Sequence, residues 1–149
     1  MRLFAGDRLD EAGERDAVTG RHAEAFLGEA RAAGAGLNGR DEPTWLERVN
    51  TSLPELRLAY GHLAAVGRHA DALSMAVALG PYWLYRARFA EGRRWLRLAS
   101  AVPEAGYEAL RAQATGWSAR LAVDDGAGRA TKVSSIAPSG SSTRRSLSL

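Results

Sequence analysis

LERVNTSLPELRLAYGHL, residues 46–63, decides the fold. Leu46, Val49, Leu53, Leu56, Tyr60 and Leu63 alternate steps of three and four residues, which places all six on one face of a helix. The turn Gly67-Arg68-His69 interrupts the stripe. Leu73, Ala76, Val77, Gly80, Trp83, Leu84 and Ala87 then repeat the pattern, and a second turn sits near Arg88-Phe89. Helix-length apolar stripes broken by short turns predict an all-α chain of stacked antiparallel helical hairpins, and nothing in the stripes is arranged for chemistry.

Outward from this stretch, Asp41 is placed to cap the helix and Pro43 falls in its first turn, where a missing N–H costs nothing. The stripe keeps its phase through Pro54, which predicts one kinked helix, with two helices broken at Thr51-Ser52 as the alternative. The same logic at Gly80-Pro81 predicts a bent helix reaching Ala87. Upstream, a short helix over residues 2–12 is expected to stop at Gly13. A second, from about Asp16 to Ala33, turns Val18, His22, Ala25, Phe26 and Ala30 inward, and the run Gly34-Ala35-Gly36-Leu37-Asn38-Gly39 reads as a loop. Downstream, a helix from about Ala90 to Ala101 buries Trp95, Leu96 and Ala99. Another, from about Glu104 to Val123, carries Tyr107, Leu110, Ala114, Trp117 and Leu121 inward and ends at Asp124-Asp125-Gly126. After Thr131 the periodicity stops. Residues 132–149 hold seven serines, the composition of a disordered tail. The last hairpin is thereby left half-built, so a truncation or frameshift of the gene is expected near this point, and related coding DNA running in frame through the Ser-rich stretch would contradict it.

At 149 residues the chain is one domain or part of one. With no cysteine, disulfides and thiolate metal sites are excluded. The start lacks the apolar region of a signal peptide, and no run approaches a membrane span, which predicts a cytoplasmic protein. Residues 1–128 hold 16 arginines against 17 acids, a balance of −1, whereas Arg129, Lys132, Arg144 and Arg145 of the tail face no acid. The overall charge of +3 thus belongs to the tail. A nucleic-acid domain carries its basic stripe on the folded part.

Residues 34–39 match G-x-G-x-x-G, but a dinucleotide site needs a strand before the turn, and an Ala-rich helix precedes it here. His22, His62 and His69 do not form the convergent set that a metal requires. The expectation is therefore no cofactor and no metal. No nucleophile elbow or P-loop appears, so no catalytic residue is named and the chain is read as not an enzyme. Arg86, Arg88, Arg93, Arg94 and Arg97, interleaved with Trp83, Tyr85 and Trp95, form the one basic-aromatic cluster and the candidate interaction surface. Such mixtures can bind phosphates and stack bases; the alternative is a solvated outer face over core aromatics.

Three stretches resemble the helical region that follows the nucleotide-binding domain in bacterial signal-transducing ATPases of the STAND class, including LuxR-type and SARP-type transcriptional regulators. Residues 2–14, RLFAGDRLDEAGE, are similar to the segment closing their winged-helix subdomain. Residues 21–27, RHAEAFL, resemble the opening of the helical array. Trp45-Leu46-Glu47-Arg48 through Leu56-Arg57, and Glu91-Gly92-Arg93-Arg94-Trp95-Leu96, resemble two of its helices. Gly6 and Pro54 depart from the family pattern.

The resemblance implies three parts: residues 1–13 ending a winged-helix-like subdomain, residues 14–131 forming a TPR-like α-solenoid, and residues 132–149 forming the basic tail. It further implies a non-catalytic sensor or scaffold arm that meets a protein partner, a ligand or its own ATPase domain, with no ATPase motif in this chain. A free-standing TPR-like adaptor is the first alternative. A nucleic-acid-binding protein using Arg86 to Arg97 is the second. No membrane partner is expected. Apolar surface around Phe4, Phe26 and Trp117 predicts self-association.

Overall fold

The computed structural model describes the backbone of residues 2–136 and the side chains of residues 8–128. Among the described residues the protein is all-α: α1 (Arg2–Gly36), α2 (Glu42–Ala65), α3 (His69–Ala78), α4 (Gly80–Tyr85), α5 (Phe89–Leu96), a 3₁₀ helix (Arg97–Ala101) and α6 (Glu108–Ile136). The short, apolar α3 is the centre, packing against every other element. Its Ala72, Leu73, Met75 and Ala76 are fully buried.

Sequence phase and observed helix agree best in α2. Val49, Leu53, Leu56 and Leu63 are buried, with Leu46 and Tyr60 at the rim of the core. The helix runs unbroken through Pro54, whose ring faces outward. Asp41 stands at the N-cap without a side-chain bond; its carbonyl accepts the Trp45 N–H at 3.0 Å.

Several expected boundaries move. Gly13 ends nothing: α1 is one helix of 35 residues, since an isolated glycine costs a helix only about 1 kcal/mol. The inward face of α1 is Ala23, Leu27, Ala30 and Ala33, continued by Leu37 just past its end, one position off the predicted stripe. Ala30 alone is shared; Ala25 and Val18 are exposed. Small alanines let α2 and α3 approach closely, leaving His22 and Phe26 half-buried with ring centroids 4.7 Å apart. Residues 8–19 are exposed throughout.

The G-x-G-x-x-G run is not a free loop. Gly34 and Gly36 belong to the last turn of α1. A Cβ on Gly34 would lie 3.0 Å from Ala78 Cβ, and one on Gly36 would lie 2.0 Å from the Trp45 indole nitrogen. Asn38 Nδ2 donates to Gly34 O at 2.8 Å, satisfying one carbonyl at the helix end. These glycines serve helix packing.

The expected bent helix through Gly80-Pro81 is two segments divided at Leu79. Bonding continues on either side, from Leu79 N–H to Met75 O and from Trp83 N–H to Leu79 O, and proline removes the donor that would have served Val77. The expected helix from Ala90 to Ala101 tightens to 3₁₀ geometry at Arg97. The last helix starts at Glu108 rather than Glu104 and passes straight through Asp124-Asp125-Gly126 and Thr131 to Ile136. Residues 137–149 of the Ser-rich tail, and the side chain of Phe4, lie outside what is described.

Tryptophan–glycine interlocks hold the centre. The buried Trp83 fills the space that a Cβ on Gly92 would occupy, at 2.6 Å, and Trp117 does the same over Gly80 at 2.3 Å. Trp83 donates its indole N–H to Ala76 O at 3.2 Å and meets Trp95 edge-on at 5.0 Å. Trp95 stacks on Tyr60 at 4.1 Å, and the Tyr60 hydroxyl donates to Trp95 O at 2.9 Å. Burial raises the Tyr60 pKa above the ordinary phenol value, against the opposing Arg94 charge.

Candidate interaction surface

The five predicted arginines do not form a common patch of free charge. Arg86, just past α4, pairs with Glu47 of α2. Arg93 reaches from α5 to Asp125 of α6 at 2.8 Å. Arg94 lies 3.6 Å from Glu91 on its own helix. Among the described residues only Arg88 and Arg97 of the five have no acid partner. The aromatics between them divide: Trp83 and Trp95 are buried, and Tyr85 is exposed.

The pairing is part of a wider scheme. Glu29 of α1 takes Arg48 of α2 through two oxygens, at 2.5 and 3.0 Å. Glu55 of α2 meets His22 of α1 at 2.5 Å. Arg57 of α2 forms a fork with Glu91 of α5, both bonds at 2.9 Å, and that bond holds the Arg57 pKa above its ordinary value. Fork geometry fixes relative orientation more than it adds energy, because exposed pairs contribute about 0–1 kcal/mol each. Sequence reading missed this because helical phase shows which residues face out, not which exposed acid stands opposite which arginine.

A second region gathers more diverse chemistry. Where the turn after α2 meets the first turn of α6, a cleft of about 580 Å³ is lined by Arg31 of α1, Arg68 of the turn, Asp71 and Ser74 of α3, and Tyr107 and Leu110 at the start of α6. Asp71 receives Arg68 Nε at 2.9 Å and Arg31 Nη2 at 3.2 Å. The Ser74 hydroxyl donates to Asp71 O at 2.7 Å. Arg68 also pairs with Glu24. Hydrogen bonds to Glu24, then to Asp71, raise its pKa above the ordinary value. Tyr107, expected in the core, precedes α6 and is 42% exposed. Nothing in the sequence pattern marks this cleft, because Arg31, Asp71 and Ser74 lie far from Tyr107 along the chain.

Among the described residues no three of His, Asp and Glu stand close enough to hold a metal ion, and no helix is long and apolar enough to cross a membrane. His62 and His69 are half-buried, and His69 borders the cleft.

This chain is similar to proteins of Mycobacterium bovis and of two Mycobacterium tuberculosis strains that carry the name HTH-type transcriptional regulator. Each is 32% identical over 98 residues. The match covers 64% of this chain but 10% of each relative, so the chain spans about a tenth of their length. No protein-family profile matches the chain, and no solved structure matches it.

Proposed function

We propose that this chain is a non-catalytic sensor or scaffold arm of a STAND-type transcriptional regulator, built of TPR-like stacked helical pairs. The observation that carries this is the similarity to much longer transcriptional regulators, taken with the all-helical framework. Helix pairs stacked on one another give extended surfaces for a protein or ligand. Occupancy of such a surface would bias a separate ATPase domain between two states, a coupling between sites. The three-part division, with residues 1–13 closing a preceding subdomain, belongs to the same proposal, as does a cytoplasmic location.

The partner is a protein, a ligand or the regulator's own ATPase domain. Arg88 and Arg97 remain for such contacts from the predicted cluster, while Arg86, Arg93 and Arg94 are engaged with acids. That neutralisation weighs against the nucleic-acid alternative, since affinity for a phosphate backbone scales with the cations free to displace counterions. The test is the coding DNA on both sides of this reading frame. A P-loop ATPase upstream, in frame or one frameshift away, and further helical pairs downstream are the expected result. Unrelated genes on both sides would overturn the proposal and leave the free-standing adaptor.

A further inference from the structure

We draw no further inference here: the strongest candidate, the exposed face of α6 formed by Ala109, Ala112, Gly116, Ala119 and Val123 opposite the buried Ala114 and Leu121, is an unpartnered stripe of mostly small residues, and nothing in the structure shows what covers it.

Discussion

The turn after α2 and the turn after α4 are the same backbone written twice, 20 residues apart. Arg68 N–H bonds to Leu63 O at 2.8 Å, and Arg88 N–H bonds to Trp83 O at 2.8 Å. Gly67 to Ala64 and Ala87 to Leu84 are both 3.2 Å. This is the hydrogen-bond arrangement of a Schellman helix end, with its left-handed residue at Gly67 (φ 83°) and Ala87 (φ 54°). The side chains differ. Leu63 and Ala72 in the first pair stand where Trp83 and Gly92 stand in the second, all four buried. In the second pair the larger residue lies against the smaller, a Cβ on Gly92 falling 2.6 Å from Trp83 Cγ; the matching positions of the first pair again hold a larger and a smaller residue. The loop cation differs as well: Arg68 is held by Glu24 and Asp71, whereas Arg88 has no acid partner among the described residues. One scaffold can therefore carry different surface chemistry, and here the first turn borders a cleft.

The largest effect expected is at Trp83. Trp83→Ala empties the second pair and removes the bond to Ala76 O, and should cost about 3–5 kcal/mol in denaturant unfolding. A loss below 1 kcal/mol would mean that the Trp83–Gly92 interlock is not what holds the second pair.

The turns themselves should respond with opposite signs. Gly67→Ala places a Cβ in the left-handed region and should cost about 1–2 kcal/mol. Ala87→Gly relieves that strain, offset by the greater freedom of glycine in the unfolded chain, and should stabilise by up to about 1 kcal/mol. Open space around a Cβ on Gly67 confines the effect to the backbone. Changes of the same sign would break the equivalence of the turns.

The smallest effect concerns Tyr60, which α2 contributes to Trp95 of the second pair. Its pKa is raised by burial, so the folded state holds the proton more tightly than the unfolded. This stabilisation is full below the ordinary phenol pKa of about 10 and is lost as pH rises through the folded value. Tyr60→Phe should flatten that alkaline decline in stability, measured as melting temperature against pH.

Which of this was legible follows from what periodicity can encode. The phase of α2 stood out because six positions share one face across a proline that points to solvent. The phase of α1 did not, since its inward positions are mostly alanines, whose weak apolar signal lost to the louder Val18 and Phe26. Glycines at Gly34, Gly36 and Gly92 carry packing information only once the indole or alanine opposite is known. Gly13 and Gly126 end no helix, because a glycine stops a helix only where the chain turns left-handed, and here it does not. The Arg86–Arg97 cluster is close-set in the sequence, but in space Arg86, Arg93 and Arg94 pair with separate acids. The cleft was assembled from distant positions and stayed hidden.

The central claim about the fold is a helix pair repeated with compensated side chains, and a double-mutant cycle at Trp83 and Gly92 tests it most directly. Trp83→Leu and Gly92→Ala together rewrite the second pair with the residues of the first. Singly, each should destabilise, the first by leaving a cavity and the second by about 1–3 kcal/mol through overpacking against Trp83. Combined, the loss should be smaller than the sum by about 1 kcal/mol or more, because without the indole the Cγ and Cβ of residue 83, which a methyl on Gly92 would strike at 2.6 and 2.8 Å, are free to shift away. Losses that add to within about 0.5 kcal/mol would contradict the account, showing that the two positions do not compensate and that the pairs share a turn without sharing a packing rule.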